Sequence, residues 1–583
     1  MTFSKMTWWM LLAAALVLVT APPGLATPQG TDTARVVVTG VVRDGHGEPV
    51  ADCGIQVHVD GEPLEAAHGG GHGAHGAGWR SSSDGSFVVG FELPRHQAAQ
   101  ASVGLVFDKP SYKRLNSLPA GLQAHPGEEA DLLGYVEATL ERHIGPAFWT
   151  ALLILLGIYV LIAFEVVHRT LAALLGAALV LFISYTAGTF WPEYFLLSYE
   201  NAIRAIDWNV IFLLFGMMII VGILKETGLF QWMAFKSFQL ARGKVFVLSI
   251  IMMVVTAVAS AFLDNVTTML LLTPVTIEIC LILKLHPFAL LIPCVLASNF
   301  GGTATLIGDP PNIMIGSYAG LTFNDFVLAL TPVVVLAMAA QVVGTKLYYG
   351  KEYQRAQIQE SELAKMYLDM QTRYAITNMK LLKFGLGVLG FVVLLFILHG
   401  ALHMEVSIAA MIGAAVLLLL SRLEIVHLLE KDVEWPTLVF FMMLFVVVGA
   451  AEQVGLLQII ADWIVDVSAG NLIVAILIIA WVAAIMSAII DNIPFTATML
   501  PIVAYLSKTI PGAENMVLWW ALALGACFGG NGTLIGASAN VVTAGLLERA
   551  GYPVSFGYFL KAGFPIMVVS MIIASAWLVF IMA

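Results

Sequence analysis

An Asp-Asn pair interrupts long apolar sequence at two places in this chain. The pairs are Asp264-Asn265 and Asp491-Asn492, which stand at an offset of 227 residues, from 264 to 491. Each pair is followed within seven residues by hydroxyl side chains, namely Thr267, Thr268, Thr496 and Thr498. An ionisable residue inside a membrane is costly, so its occurrence in both halves predicts a functional site.

The composition predicts that this chain folds in a membrane. Its 583 residues are 59% hydrophobic and only 11% charged, which is too apolar for a soluble globular protein. The formal net charge of −11 comes without a dense basic tract, so no nucleic-acid partner is expected. The four cysteines are scattered and predict no disulfide framework. We therefore expect a polytopic α-helical protein integral to the inner or plasma membrane and in contact with lipid.

The first 26 residues have the pattern of a secretory signal peptide. Lys5 precedes an apolar run, a Pro-Pro-Gly break follows, and small residues end the segment at Gly24-Leu25-Ala26. Cleavage there would leave the mature chain starting outside the membrane. The alternative is an uncleaved signal anchor.

Residues 34–140 are more polar and predict a small all-β domain, sandwich-like and extracytoplasmic. Apolar and polar residues alternate at 35–43 and 85–92, between Gly-rich turns. The segments at 40–50 and 83–87 resemble the carboxypeptidase-regulatory-like β-sandwich. That resemblance implies a binding or spacer module.

A Gly-rich loop of this domain contains His68, His72 and His75. Imidazoles at this spacing can bind a transition metal, which makes the three residues a candidate weak metal site. The alternative is a flexible polar loop, because glycines impose a large ordering cost.

The rest of the chain consists of apolar runs, which we divide by the rule that about 20 residues cross the hydrocarbon core. Residues 147–345 form a first membrane repeat, 346–380 a cytoplasmic linker and 381–583 a second repeat. Residues 346–383 contain seven Lys or Arg against four acids, as the positive-inside rule predicts for a cytoplasmic segment. The same rule puts Arg169 on the cytoplasmic side. Regular spans are expected near 147–167, 170–190, 208–224, 325–345, 381–400 and 404–421.

The apolar runs at 245–263 and 266–283 meet at Asp264-Asn265 and allow two topologies. If both crossed the membrane, the polar pair would lie on an external turn. If they form a re-entrant hairpin from the cytoplasm, the pair lies at its tip near mid-membrane and the linker stays cytoplasmic. We therefore expect one hairpin in each repeat.

Each repeat also contains a stretch that cannot continue a regular helix. Residues 301–312 combine glycines, which accept unusual dihedrals, with two prolines, which lack a backbone donor. Residues 528–536 repeat the sequence of 300–308 with two changes, at an offset of 228. We expect discontinuous helices whose unwound centres offer ligands. The candidate ligand residues are Gly301, Gly302, Thr303, Thr305, Asp309, Asn312, Gly529, Gly530, Asn531, Thr533, Ser538 and Asn540.

The direction of the two repeats follows from the count of spans. With the hairpins taken as non-spanning, the segment that begins at Trp208 runs outside to inside, whereas its copy at Trp435 runs inside to outside. The repeats are therefore expected to be inverted. For Asp309, an ordinary Asp-Pro-Pro turn is an equal alternative to a site role, since Ala537 is its counterpart in the second repeat.

The membrane part, roughly 147–583, resembles the ion transporter superfamily and, within it, the arsenite-permease and NhaD-type sodium/proton antiporter group. The motifs at 263–268, 307–312 and 529–542 carry this similarity, which is greatest to the P-protein branch. The resemblance implies a homodimer whose protomers each have a scaffold domain and an elevator-like transport domain with two opposed hairpins. Dicarboxylate carriers of the superfamily have Ser where this chain has Asp264 and Asp491. Those two extra carboxylates would repel a dianion unless protonated or neutralised by cations.

The leading hypothesis is an ion-coupled secondary transporter of a small ion. Asp264 and Asp491 would carry the coupled Na⁺ or H⁺, with no other cofactor, while Asn265 and Asn492 fix the tips. Thr303, Thr305, Asn531 and Thr533 are expected to complete the coordination.

Other functions stay open at this point. They are an anion or di/tricarboxylate (citrate-like) carrier, a P-protein-like anion conductance, and a receptor or binding protein, although the last gives no reason for the duplicated broken helices. A purely structural cap of the second hairpin helix is the alternative for the aspartates. An enzyme is not expected, because the sequence contains no phosphate loop, zinc-protease motif or nucleophile elbow.

Overall fold

The computed structural model describes residues 33–583 except for 46, 48, 51–52, 65–78, 83, 99–100, 110–111, 114, 125–131, 142–143, 165 and 356–372. The signal peptide predicted at 1–26 and the candidate metal ligands His68, His72 and His75 lie outside the described residues. The chain divides into two compact units, Met1–His143 and Ile144–Ala583.

The first unit is built from two β-sheets. Its described elements are β1 (Thr33–Asp44), β2 (Gly54–Val59), β3 (Glu62–Pro63), β4 (Trp79–Arg80), β5 (Ser86–Pro94), α1 (Arg95–Ala98), β6 (Val103–Asp108), β7 (Leu115–Pro119), β8 (Gln123–Ala124) and β9 (Leu132–Leu140). One sheet has the order β5-β1-β9-β8 and the other β3-β2-β6-β7, with β4 paired to β2. Inward side chains of both sheets, among them Val36, Phe87 and Phe107, form one hydrophobic cluster. The strands that the alternating pattern predicts are therefore present, in the arrangement of a β-sandwich.

The second unit is helical. Its first half contains α2 (Pro146–Ala163), α3 (Arg169–Tyr185), α4 (Ala187–Phe190), α5 (Tyr199–Ala205), α6 (Trp208–Lys225), α7 (Leu229–Ala241), α8 (Val245–Phe262), α9 (Asn265–Ile282), α10 (Phe288–Thr303), α11 (Pro310–Ala319) and α12 (Phe323–Arg355). Its second half contains α13 (Met379–Leu402), α14 (Val406–Ser421), α15 (Ile425–Lys431), α16 (Trp435–Gln453), α17 (Leu456–Ser468), α18 (Leu472–Ile489), α19 (Asn492–Thr509), α20 (Val517–Gly529), α21 (Ser538–Arg549) and α22 (Phe556–Trp577). Ten helices in the described part of the chain are long and apolar enough to cross a membrane. The polytopic helical protein predicted from composition is confirmed.

The last seven helices of each half, α6–α12 and α16–α22, follow one another in the same order. Helices α8 and α9, here called hairpin 1, correspond to α18 and α19, called hairpin 2, with first residues at the offset of 227. Helices α7 and α17 also match: each has 13 residues and follows a glycine, Gly228 or Gly455, with φ of +77°. Each half has one interrupted helix, α10–α11 around residues 304–309 (break 1) and α20–α21 around 530–537 (break 2). The duplication seen in the sequence is thus a duplication of structure.

The hairpins pack on the interrupted helices of their own half. Helix α8 lies along α10, and α18 lies along α20. A Cβ atom on Gly301 would lie 2.1 Å from the carbonyl oxygen of Ala257, and one on Gly529 would lie 2.4 Å from that of Ala484. Only glycine allows this approach.

Packing between the halves involves the hairpins, since α9 packs on α21 and α19 on α11, and it also involves other helices. Helix α6 packs on α14, and α16 packs on α3. The six helices α2, α3, α6, α13, α14 and α16 therefore form a group that is built from both halves.

The end of the first half differs from the sequence prediction. A span at 325–345 followed by a polar linker is expected, but α12 continues as one helix to Arg355. The residues beyond 345 stay helical because Tyr349 and Tyr353 are buried, so this segment still has an apolar face. The middle of the predicted linker lies outside the described residues.

Candidate functional site

Each hairpin tip is an aspartate that caps the following helix. The Oδ1 atom of Asp264 accepts hydrogen bonds from the backbone N–H of Val266 at 2.8 Å and of Thr267 at 3.2 Å, and the Thr267 hydroxyl donates to Oδ2. Asp491 caps α19 in the same way, by accepting from the N–H of Ile493 at 3.3 Å. Capping is therefore one role of both residues, and it leaves carboxylate lone pairs for other partners.

Arg169, the first residue of α3, forms an ion pair with the tip of hairpin 2. Its Nη1 atom lies 3.0 Å from Asp491 Oδ2 and 2.5 Å from the Ser538 hydroxyl, which itself donates to Asp491 Oδ2 at 2.9 Å. Its Nη2 atom lies 3.4 Å from the Thr437 hydroxyl, and the guanidinium covers the ring of Phe440. The sequence marks Arg169 only as a cytoplasmic positive charge, so this partner of Asp491 is missed.

The two interrupted helices cross where Phe300 and Phe528 meet edge to face, with ring centroids 4.8 Å apart. Beside this contact, the Asn299 side chain donates to Asn531 Oδ1 at 2.9 Å and to Asn540 Oδ1 at 3.1 Å. It also accepts from Asn265 Nδ2 at 3.1 Å. Asn299 thus joins the tip of hairpin 1 to the second interrupted helix.

Sequence reasoning missed Asn299, which stands in an apolar run before the Gly-Gly pair. Its counterpart at the offset of 228 is Cys527. The Cys527 thiol donates to Asn312 Oδ1 at 3.6 Å. The two positions therefore differ in chemistry although their helices correspond.

Two asparagines hold the unwound segments in shape. Asn312 Nδ2 lies 3.3, 3.1 and 2.9 Å from the carbonyl oxygens of Gly302, Thr303 and Thr305. Asn540 Nδ2 lies 2.8 Å from the oxygen of Gly530 and 2.9 Å from that of Thr533. The two asparagines therefore occupy equivalent positions, as predicted. The side-chain amide of each donates hydrogen bonds to backbone carbonyl oxygens of its own break.

Most of the predicted hydroxyl residues donate to carbonyl oxygens. Thr305 reaches the oxygen of Ala261, and Thr533 reaches that of Ala488 at 2.5 Å, so each break is tied to its own hairpin. The other three such bonds stay within one helix and run from Thr303 to Asn299, from Thr496 to Asn492 and from Thr498 to Pro494. The buried Thr268 hydroxyl has no hydrogen-bond partner among the described residues.

The glycines of the breaks allow close packing of backbone. A Cβ on Gly302 would lie 2.6 Å from the oxygen of Gly308, and one on Gly530 would lie 3.1 Å from that of Gly536. With Gly301 and Gly529, all four predicted glycines therefore have a steric reason to lack a side chain.

Asp309 lies in break 1 and is 1% exposed. Its Oδ2 atom accepts a 3.4 Å hydrogen bond from Asn492 Nδ2, at the tip of hairpin 2. This buried position favours the site role over an ordinary surface turn.

A cavity of about 100 Å³ lies between the hairpin tips and breaks. The polar residues that line it are Arg169, Lys225, Asp264, Asn265, Thr267, Asp309, Lys431, Asp432, Glu434, Thr437, Asn492 and Ser538. A second cavity of about 630 Å³ shares Arg169, Glu434, Thr437 and Ser538 and is also lined by Asp491. The ion pair of Arg169 with Asp491 therefore lies where the two cavities adjoin.

The charges around the smaller cavity do not balance. Lys225 pairs with Asp432 at 3.0 Å, Lys431 pairs with Glu226 at 3.0 Å, and Arg169 pairs with Asp491. All three basic side chains of the lining are thus engaged. Three lining carboxylates, those of Asp264, Asp309 and Glu434, form no ion pair in the part of the chain that the structure describes. A group of carboxylates without ion-pair partners in one cavity favours the uptake of a cation or a proton.

Comparison with protein families gives a match to the citrate transporter (CitMHS) model over residues 159–525. That range lies within the helical unit.

Several known proteins are similar to most of the chain. An uncharacterized transporter of Mycobacterium tuberculosis is 42% identical over 429 residues, which cover 73% of this chain and 97% of the relative. A 46 kDa membrane protein of Mycobacterium leprae is 40% identical over 431 residues, with the same coverage. The human P protein is 37% identical over 498 residues, which cover 73% of this chain and 59% of that protein.

Among solved structures, the YdaH transporter of Alcanivorax borkumensis aligns with a TM-score of 0.48 and 15% sequence identity. The alignment covers 71% of this chain and 98% of that one.

Proposed function

Since this chain belongs to the citrate transporter family, we propose that it is an ion-coupled secondary active transporter with Na⁺/H⁺-linked ion transport as its activity. The coupled ion binds through the hairpin-tip aspartates. The transported species is a small ion, and no cofactor other than Na⁺ or H⁺ takes part.

The observation that carries this proposal is the group of unpaired carboxylates around the smaller cavity. Asp264 and Asp309 come from different elements and face one cavity, and neither forms an ion pair among the described residues. Na⁺ is a hard cation that prefers oxygen ligands. Carboxylate oxygens, the Thr267 hydroxyl and the amide oxygen of Asn492 supply such ligands around that cavity. A proton can neutralise the same carboxylates, so Na⁺ and H⁺ compete for one site.

The two tip aspartates take different parts in the arrangement described here. Asp264 is the exchanging residue because it has no ion-pair partner among the described residues, whereas Asp491 is held by Arg169. Asp491 exchanges an ion after hairpin 2 has separated from α3.

The transport cycle is an elevator-like movement. The hairpins and interrupted helices move as one body against the six helices α2, α3, α6, α13, α14 and α16. The packing of α8 on α10 and of α18 on α20 supports the first group, and the exchange of partners between halves supports the second. The same proposal includes an inverted orientation of the two halves, a homodimer and an extracytoplasmic β-unit. These three points come from the predicted topology and from the family resemblance, not from a contact in the structure.

A second candidate is an anion carrier, for a citrate-like carboxylate. It is favoured by the family match and by the three basic side chains, Arg169, Lys225 and Lys431, that line the smaller cavity. Such an anion requires that cations first neutralise Asp264 and Asp309. A P-protein-like anion conductance is a variant of this candidate, distinguished by currents without coupling.

The test is a flux assay with the purified full chain in proteoliposomes that contain a pH-sensitive dye. A Na⁺ gradient imposed without any organic anion is expected to drive proton movement. Asp264→Asn should abolish this signal, and Asp466→Asn, which alters an exposed carboxylate on α17, should not. Flux that appears only after a carboxylate is added supports the anion carrier instead, and an unchanged signal in Asp264→Asn refutes the proposed role of that residue.

A further inference from the structure

The two tip aspartates correspond in sequence but not in their charge partners. Asp264 Oδ2 accepts from Thr267, and its ligands belong to its own hairpin. Asp491 Oδ2 accepts from Arg169 and Ser538, which belong to α3 and α21. Asp491 is therefore in an ion pair with Arg169, whereas Asp264 forms no ion pair in the described part of the chain, although Arg169 lines the cavity that it faces.

We propose that Arg169 is a tethered cation that takes the place of a coupling ion at hairpin 2. While hairpin 2 lies against α3, the guanidinium neutralises Asp491 and no mobile cation binds there. When hairpin 2 moves away, Asp491 needs Na⁺ or H⁺ in place of Arg169. The inference rests on the proposed function, and it adds a positioning residue that sets how many ions bind in each state.

Arg169 is held on the side of the six-helix group. Its Nη2 atom contacts Thr437 of α16, and its guanidinium lies 5.4 Å from the centre of the Phe440 ring. The next residue, Thr170, donates to the carbonyl oxygen of Pro436 at 2.8 Å. The guanidinium is thus fixed to α16, and only Nη1 reaches across to hairpin 2.

A second contact joins the same surfaces. The Tyr159 hydroxyl of α2 donates to the carbonyl oxygen of Pro494 at 2.7 Å and also contacts the Thr498 hydroxyl. Helices α2 and α3 therefore hold hairpin 2 at two points. Both contacts break if hairpin 2 slides along this surface.

The corresponding position in the second half has no charge. Arg169 directly follows the N-cap residue of α3, and Val406 directly follows the N-cap residue of α14. Val406 is buried and cannot neutralise a carboxylate. The start of α14 therefore offers hairpin 1 no equivalent of Arg169, and in this inference Asp264 is neutralised by a mobile ion.

The test is thermal unfolding of the purified full chain at pH 8, with Na⁺ replaced by choline at constant ionic strength. Stabilisation by a bound ion grows with the logarithm of its concentration, in proportion to the number of ions bound. Wild type is expected to bind one ion, at Asp264. Arg169→Gln should bind two, which makes the dependence on log[Na⁺] about twofold steeper. Arg169→Lys should keep the wild-type slope.

Double variants test whether the extra ion in Arg169→Gln binds at Asp491. Arg169→Gln/Asp491→Asn should return to the wild-type slope, whereas Arg169→Gln/Asp264→Asn should keep a one-ion slope. A wild-type slope in Arg169→Gln, or a steep slope that persists without Asp491, overturns the inference. So does a failure to recover folded Arg169→Gln even in high Na⁺, because Na⁺ could then not replace the guanidinium.

The same set separates this inference from the proposed function. If Asp264→Asn has the wild-type slope, the proposed role of Asp264 fails. The comparison of Arg169→Gln with its Asp491→Asn double still decides the role of Arg169.

Discussion

Asn492, at the tip of hairpin 2, donates a hydrogen bond to the carboxylate of Asp309, which lies in break 1 of the other half of the chain. On the other side of the crossing, Asn299 of the first interrupted helix donates to Asn531 and Asn540 of the second. The polar centre of the helical unit is therefore assembled from both halves. Neither half alone supplies all of these hydrogen-bond partners.

Neutralising Asp309 should weaken cation binding. Asp309→Asn keeps the shape of the side chain but removes one negative charge from the smaller cavity, so the Na⁺ concentration for half-maximal proton flux should rise about tenfold or more. The measurement is Na⁺-driven flux in proteoliposomes, with Asp466→Asn as the exposed control. An unchanged half-saturating concentration would mean that Asp309 serves only the turn.

Removing the Asn299 amide should destabilise the crossing of the interrupted helices. Asn299→Ala leaves buried partners at Asn265, Asn531 and Asn540 with fewer hydrogen bonds, and we expect a loss of roughly 2–4 kcal/mol. Thermal unfolding in detergent measures this change. Thr509→Ala is the control, because that exposed hydroxyl bonds only to its own helix and its loss should change stability by less than about 0.5 kcal/mol. Equal effects of the two substitutions would contradict the role of Asn299.

Adding a methyl group at Gly301 or Gly529 should separate the interrupted helices from the hairpins. The new Cβ would meet the backbone of Ala257 or Ala484, which cannot move aside as a flexible side chain can. Gly301→Ala and Gly529→Ala should each cost about 1–3 kcal/mol or prevent folding. Gly387→Ala is the matched control: its Cβ would meet nothing within 4 Å, so alanine should stabilise α13 by up to about 1 kcal/mol. If all three variants lose the same stability, the close approach of the backbones at Gly301 and Gly529 is not the cause of the loss.

The turn before β5 should make the β-unit sensitive to acid. Hydrogen bonds from the Ser82 and Ser86 hydroxyls and from the Ser86 N–H lower the pKa of Asp84 to about 2. Because this folded-state pKa lies below the unfolded value of about 4, the carboxylate adds stability above about pH 4, and the contribution disappears as the pH falls toward 2. Asp84→Ala should therefore weaken hydrogen-exchange protection of β5 in the full chain at pH 6 but have little effect near pH 2. A difference that stays constant with pH would exclude the ionised carboxylate as its cause.

Local chemistry was enough to predict where the two helices of each hairpin meet and where the interrupted helices break. An Asp between two apolar runs is a strong helix N-cap, and Asp264 and Asp491 begin α9 and α19 where the sequence pattern predicts. Glycines mark both breaks, and Pro310 and Pro311 also mark break 1, for equally local reasons. The offset of 227 between the two motifs then also predicts that α9 and α19 begin 227 residues apart, as they do.

The partners of these residues could not be predicted in the same way. Arg169 is 322 residues from Asp491, and Asn299 is 241 residues from Asn540. No periodicity in one sequence connects positions so far apart. One signal was present for Arg169, because a carboxylate in a membrane calls for a counter-charge and few basic residues lie between apolar runs. For Asn299 there was none beyond its position before the Gly-Gly pair.

The amides of Asn312 and Asn540 have a consequence for the kinetics of ion exchange. An unwound helix in hydrocarbon normally leaves carbonyl groups without donors, which a ligand would have to satisfy. Here two side chains of the protein donate to five of these carbonyl oxygens, so under the proposed function both breaks should keep their form whether or not an ion is bound. Binding energy is not spent on ordering the chain, and release of the ion does not have to wait for the chain to refold. Such a site suits rapid turnover at modest affinity.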